Sequence, residues 1–498
     1  MLRKRLNQII AIIFIAISGV SVAQEMNGFI PGNYSGITGS LINPSSILNS
    51  KLYLDINLAG LHVNADNNYI YLAADEYKFM RFFDFDADYP EHIDEVSGDT
   101  RNFYDWYNTD MKNVFSQVRV MGPSVMFALG HHAFGLSTAY RVMASGSNVP
   151  YDIAKFAVEG LDYRPQQRIN FINNNDFGVG ALALAEVAAT YSHILYRRNQ
   201  EHWSGGITVK GLFGTGGGFL YSNNVDYLVP NNDTLIVYNA NASMGISAPL
   251  DFSDNDVLLP GNMFQGSGLG FDIGITYQKK MRGHSPKVYS APCEIPYQPY
   301  YFRIGASLID LGKVNFKRNL RTMRLEDASA RWYDIGGSDY ATADELFRTI
   351  SFEFSGDSSQ LLEQDAFSVG LPAAISLQGD IHLRNEFYVN ATWVHPVRLY
   401  EAQVMRPAQL ALTPRFESHY FEVSLPLTLY NYSHPRVGLA ARFHNIIVGT
   451  DKLGGFFGLS DFEGLDLYIM VKLQFERGNC LRFKKKFGCG NLEYLQKY

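Results

Sequence analysis

One segment near the end of the chain constrains everything before it. Between residues 465 and 475, Leu465, Leu467, Ile469, Val471, Leu473 and Phe475 alternate with Asp466, Tyr468, Met470, Lys472 and Gln474. Side chains alternate faces along a strand, so one face is wholly apolar and the other mostly polar. The span matches the roughly 9–11 residues of a tilted membrane-crossing strand. A strand exposes unpaired backbone groups at its edges. In lipid these are satisfied only when the sheet closes on itself.

The N-terminus points to export. Arg3, Lys4 and Arg5 precede an apolar run from Ile9 to Ile17, and Ser21-Val22-Ala23 places small residues at a cleavage site. Residues 1–23 are therefore expected to be a signal peptide. No Cys follows the site, which argues against a lipoprotein anchor. After it, no apolar run is long enough for a spanning helix. Charged residues are 18% against about 25% in soluble domains, while the chain carries 31 Tyr, 34 Phe and 44 Gly. That balance fits an all-β transmembrane barrel, whose hydrophobicity is diluted by alternation.

Further alternating segments are expected at 51–64, 112–129, 133–147, 179–197, 203–219, 267–280, 300–316, 367–383, 387–399, 409–416, 420–430, 436–443 and 446–453. In the first, Leu52, Leu54, Ile56 and Leu58 are expected outward and Tyr53, Asp55 and Asn57 inward. Gly122-Pro123 marks a break, because Pro cannot donate to a ladder. With a periplasmic start, the long connections 65–111, 148–178, 220–266 and 317–366 all fall outside, and most of the opposite turns are short, as barrels require. The strand-like piece Thr234 to Ile246 fits this parity only as an external hairpin. The expected organisation is a plug or periplasmic segment over 24–50, a barrel of about 14 antiparallel strands over 51–476, and a basic periplasmic tail over 477–498.

Asn33-Tyr34-Ser35-Gly36, Asn43-Pro44-Ser45-Ser46-Ile47, Gly270-Phe271-Asp272-Ile273-Gly274 and Ser307-Leu308-Ile309-Asp310-Leu311-Gly312 resemble stretches of Bacteroidetes outer-membrane barrels. Those barrels are related to the long-chain fatty-acid transporter family and include a type IX secretion subunit (FadL-like and PorV-like barrels). The resemblance implies fourteen strands and an N-terminal plug, and it implies transport of small hydrophobic molecules as one activity.

No enzyme motif is present and no cofactor is expected. Gly214-Thr215-Gly216-Gly217-Gly218 lacks the following helix a phosphate loop needs. His131-His132 has no ligand set around it. Asp84, Asp86 and Asp88 are weak calcium candidates, with a second acidic cluster at Asp251, Asp254 and Asp256. The inward face is expected to carry Asp55, Arg119, Glu186, Lys210, Asp272, Arg303, Asp380, Glu422, Arg442, Asp466 and Lys472, both signs in similar number. Tyr53, Ile309 and Met470 are also expected inward. Such a lining suits mutually paired charges better than a greasy channel. The first long loop gathers Phe82, Phe83, Phe85, Tyr89, Phe103, Tyr104, Trp106 and Tyr107, as a small loop domain or a partner surface. Cys480 and Cys489 flank a basic stretch and are expected to pair, leaving Cys293 single; a bond that includes Cys293 is the alternative.

The partners expected are outer-membrane lipid and either envelope proteins or a small hydrophobic ligand, with no nucleic acid. The balanced lining and heavy loops favour a structural or interaction component of the cell envelope. Passage of small hydrophobic molecules is the alternative.

Overall fold

The computed structural model describes residues 25–74, 92–93, 100–254, 263–281, 292–335, 340, 342–457 and 460–478. The expected signal peptide lies outside them. The strands that matter here are, in chain order, β1 (Leu52–Asn67), β2 (Lys112–Met121), β3 (Ser124–Leu129), β4 (His132–Val149), β5 (Asn170–Asn173), β6 (Phe177–Arg198), β7 (Glu201–Asn231) and β8 (Thr234–Ser247). They continue with β9 (Gly266–Lys280), β10 (Tyr300–Phe316), β11 (Leu320–Tyr333), β12 (Leu362–Glu363), β13 (Phe367–Gly370), β14 (Ala374–Arg384), β15 (Phe387–Pro396) and β16 (Gln409–Glu417). The last six are β17 (Phe421–Ser424), β18 (Leu427–Tyr430), β19 (His434–Val437), β20 (Leu439–Phe443), β21 (Ile446–Thr450) and β22 (Asp466–Glu476).

Four wall positions are each shared by two strands in line: β2 with β3, β13 with β14, β17 with β18 and β19 with β20. The antiparallel wall then has 14 positions. It closes where β22 pairs with β1, from Asn64 opposite Asp466 to Asp55 opposite Gln474. The breaks fall at Gly122-Pro123, Pro372, Pro426 and Gly438, where a missing donor or side chain lets the ladder step.

The outward face is a belt of exposed apolar side chains, among them Leu61, Ile207, Ile273, Leu377, Leu412, Val448 and Ile469. Each would lose roughly 1.5–3 kcal/mol of burial free energy in water. A continuous belt this large is stable only against lipid.

β8 and β11 leave the wall. The upper part of β7 pairs with β8, β8 with β11, and β5 joins the other edge of β7. Thr234 to Ile246 thus forms the external hairpin that loop parity demands. Helices α1 (Tyr151–Glu159) and α2 (Ala343–Ser355) pack on this external sheet through Phe156, Tyr227, Val237, Met323, Leu325 and Phe347.

At the start of β1 the expected facing is reversed. Leu52 is fully buried among the plug residues, while Tyr53 packs beside Phe475, 6.3 Å between centroids. A register shift between Leu52 and Leu54 turns the two over.

Candidate functional site

The lumen is occupied by the chain's own N-terminus. Residues 25–51 contact strands all round the wall, and the motif stretches of the sequence make these contacts. Asn43 Oδ1 accepts from Ser45 N at 3.0 Å, a local turn that Pro44 stiffens. That turn meets the wall where glycine leaves room: a Cβ on Gly206 would lie 2.5 Å from the Pro44 carbonyl carbon. Asn43 Nδ2 donates to Gln378 at 2.9 Å, and Asn49 Nδ2 to Ser204 Oγ at 2.8 Å. A cavity of only about 40 Å³, lined by Ile30, Ser46, Thr276 and Gln378, lies between plug and wall.

Towards the periplasmic turns the plug is held by an ion pair and charge-assisted hydrogen bonds. Lys51 reaches Glu417 at 2.6 Å, Asn33 donates to Glu417 at 3.1 Å, and Arg303 reaches the Pro31 carbonyl at 2.9 Å. Behind them Asp380 gathers Arg303 and Arg415, each at 2.8 Å. Arg442 lies over the Tyr34 ring at 3.8 Å and pairs with Glu422 at 3.3 Å.

Higher in the barrel a second charged layer centres on Asp310. It accepts from Arg141 at 2.9 Å, Lys210 at 2.7 Å and Arg406 at 2.9 Å, while Arg141 also pairs with Glu186 and Lys210 with Asp272. Asp310 enters this layer because β10 bulges: its φ is 55°, and the ladder to β9 shifts between Phe271 and Ile273. The bulge buries Ile309 and Asp310 together.

The residues expected to line the interior are placed as follows. Asp55, Glu186, Lys210, Asp272, Asp380, Glu422, Arg442 and Lys472 are buried and ion-paired. Arg303 is paired and slightly less buried. Arg119 and Asp466 are buried without an ion pair among the described residues. Alternation alone missed Arg141, Asp310, Arg406, Arg415 and Glu417, as well as Glu25 of the plug.

A second closure comes from outside. The connection after β15, residues 397–408, does not stay at the rim. Val404 N donates to Gly370 O at 3.1 Å, then Met405 N to Ser145 Oγ at 2.8 Å across the mouth. Gly180 makes the crossing possible, since a Cβ there would lie 2.8 Å from Gln403 O. Arg406 then ion-pairs with Glu25, so the two closures meet inside the barrel. Beside this crossing, Val404 sits in an inward apolar cluster with Met143, Leu182, Leu212, Phe316 and Leu371.

Other candidates have simpler explanations. Gly214 and Gly217 lie within β7 and make room for the Phe316 ring, 2.9 and 2.3 Å from their would-be Cβ atoms. His132 stacks on His193 at 4.5 Å, and no group of three metal-ligating side chains occurs among the described residues. Asp84, Asp86, Asp88 and Asp256 lie outside those residues, as do Phe82, Phe83, Phe85 and Tyr89. Asp251 accepts from the Ser253 hydroxyl at 2.7 Å. Trp106 stacks on Tyr71 at 4.8 Å, and Tyr107 meets Tyr151 of α1 at 5.9 Å.

The cysteine expectation needs correction. Cys480 and Cys489 lie outside the described residues, but Cys293 is disulfide-bonded, so the pairing that leaves it single is replaced by one that includes it. The backbone brings the tail there: Gly478 N donates to Cys293 O at 2.7 Å.

A closed barrel with a lipid-facing belt, short turns at one end and a folded lobe at the other is an outer-membrane β-barrel protein, located in the outer membrane. The chain belongs to the family of unknown function DUF5723, whose model matches residues 44–451. No curated protein matches it. Among solved structures it is similar to the toluene transporter TbuX of Ralstonia pickettii, at 9% identity over 89% of this chain and 95% of that one, TM-score 0.36. It is similar also to the toluene transporter TodX of P. putida, at 7% identity over 88% and 92%, TM-score 0.34. A FadL homologue of Pseudomonas aeruginosa matches at 8% identity over 92% and 100%, TM-score 0.22.

Proposed function

We propose that this barrel passes small hydrophobic or amphipathic molecules across the outer membrane, closed at rest by its N-terminal segment and by residues 397–408. The observation that carries this reading is the inward apolar cluster beside the external closure, capped by Val404. Barrel interiors are otherwise polar, as the two charged layers here are. An apolar patch at the mouth, covered by a segment of loop, is a place to receive an apolar molecule once the loop moves. Width supports it too. A barrel of eight strands is filled by its own side chains, whereas a wider one leaves a lumen. This chain fills that lumen with two segments: ion pairs and hydrogen bonds, which water can replace on opening, hold both, and the N-terminal one also packs Phe29, Ile37 and Ile47 against the wall.

The test is uptake of an apolar naphthylamine fluorophore into vesicles holding the purified barrel. Arg406→Gln removes the contact between the closures and is expected to raise uptake. Leu212→Asp puts a charge in the apolar cluster and is expected to abolish it. Rates no better than protein-free vesicles for wild type and Arg406→Gln alike would sink the reading.

A second reading, an envelope interaction component, is favoured by one observation. Among the described residues, the outer edge of β11 pairs only at Thr322 and Met323, with β12, which leaves its length from Arg324 to Tyr333 unpaired on that side. An unpaired edge is a template for a partner's strand. The narrower PorV-like kinship belongs to this second reading. Recovery of the barrel without any stoichiometric partner under mild detergent counts against it.

A further inference from the structure

On the outer surface of the wall, between β7, β9 and β10, lies a pocket of about 690 Å³, lined by Phe213, Leu269, Phe271, Leu311, Lys313 and Tyr400 among others. It opens towards lipid, because Phe213, Leu269 and Phe271 are exposed members of the apolar belt. Gly211 leaves room in it, its would-be Cβ meeting nothing closer than 3.6 Å, while Gly268 and Gly312 let β9 and β10 approach closely, their would-be Cβ atoms 1.9 and 2.2 Å from backbone oxygens of the neighbouring strand.

Polarity changes in order along its length. Phe271 stands opposite Leu311, then Leu269 opposite Lys313, then Ser267 opposite Asn315. The apolar pair is deepest in the membrane and the polar pairs approach the external rim. Lys313 is exposed, with its ammonium 5.3 Å from the Tyr400 ring centroid. Lys317 and Arg318 follow just beyond the strand, also exposed. None of the three forms an ion pair with a described residue, although the chain as a whole carries a net charge of −7. A lysine facing the belt near its edge is stable when its ammonium reaches a polar or anionic layer.

We propose that this pocket seats one phosphate-bearing lipid of the outer leaflet, its acyl chain against Phe213, Leu269, Phe271 and Leu311 and its phosphate on Lys313 and Lys317. A neutral occupant would leave both ammoniums without a counter-charge among the described residues. A lipid of the leaflet, rather than a solute from the medium, fits the direction in which the pocket opens.

The test is native mass spectrometry of the full barrel, stripped of lipid and titrated with diphosphoryl lipid A or with the same lipid lacking its phosphates. Wild type is expected to hold one diphosphoryl molecule and to prefer it at least tenfold. Losing one lysine near an anionic headgroup weakens binding roughly fivefold, so Lys313→Gln with Lys317→Gln is expected to lose about 25-fold. Lys313→Arg is expected to retain binding. Gly211→Leu fills the pocket from a site where a Cβ meets nothing closer than 3.6 Å, and is expected to abolish binding while the barrel still folds. Equal binding of the two lipids, or no effect of the double glutamine variant and Gly211→Leu, overturns the proposal. So does loss of fluorophore uptake in these variants with lipid binding unchanged.

Discussion

Lys472 Nζ lies 2.8 Å from Asp55 Oδ2, and neither side chain has any exposure. Lys472 is on the closing strand β22 and Asp55 on β1, so the pair spans the seam of the barrel. Both ends also hold the plug: Lys472 donates to Ser35 O at 2.7 Å, and Asp55 accepts from Ile37 N at 2.8 Å. Closing the wall and seating the N-terminus are thus one set of contacts. Removing one partner strands the other's charge.

Lys472→Met is therefore expected to destabilise the barrel by about 3–5 kcal/mol, the usual cost of breaking a buried pair. Lys472→Met with Asp55→Asn is expected to recover part of this, since no isolated charge remains. Denaturant unfolding in detergent measures both. A double variant no more stable than the single one would show that the pair itself is not the cause.

Gly206 tests the plug separately. A side chain there must displace the backbone at Pro44 and Ser45, only 2.5 Å from its would-be Cβ. Gly206→Val is expected to leave the wall strands paired but expose residues 25–50 to added protease, and to raise vesicle permeability. Cleavage no faster than in wild type would mean that the plug tolerates the intrusion.

How much of this was legible beforehand depended on alternation. β22 shows it cleanly, with Asp466, Tyr468, Met470 and Lys472 fully buried and Leu467, Ile469 and Val471 exposed. Loop parity then placed Thr234 to Ile246 outside. What was hidden breaks the two-residue period. Asp310 enters the interior through a bulge, which reverses the facing expected there. The infolded 397–408 segment has no periodicity at all, and its signal lay in its receptor, the small Gly180. The inward apolar cluster did leave a trace. From Val179 to Ala185 both faces of β6 are apolar or small, and Leu182 and Leu184 are the inward ones. A charged lining was thus only part of the interior, which weakens the case against a hydrophobic ligand.

The external lobe carries a pH-dependent clasp. Asp344, at the start of α2, accepts from Arg348 Nε at 2.6 Å and from Arg321 Nε of β11 at 2.9 Å. The Arg348 hydrogen bond, with that of Arg321, holds its carboxyl below the ordinary carboxylate range. A depressed folded pKa means that the unfolded lobe binds the proton first. The clasp's stabilisation is full above the ordinary Asp pKa of about 3.9 and is lost as pH falls through the lower folded value. Protection of α2 against hydrogen exchange, relative to the intrinsic amide rate at each pH, is expected to fall below about pH 4 in wild type and to be less pH-sensitive in Asp344→Asn. Equal acid sensitivity in the two would assign the effect to another group.

Cys293 gives the last test. The chain has three cysteines, and Cys293 is disulfide-bonded, so one bond consumes two thiols and leaves one. The chain's other cysteines are Cys480 and Cys489, so one of them is expected to be the partner, which would tie the tail to the connection before β10. Gly478 N already meets Cys293 O at 2.7 Å, so the backbone approach does not depend on the bond alone. Unfolded, unreduced protein is expected to take up one equivalent of alkylating reagent, and reduced protein three. Cys293→Ser is expected to leave the barrel folded but free the tail for proteolysis. Alkylation of Cys293 without reductant in protein isolated from the outer membrane would overturn the bond to Cys293 and return Cys480–Cys489 as the pairing to test.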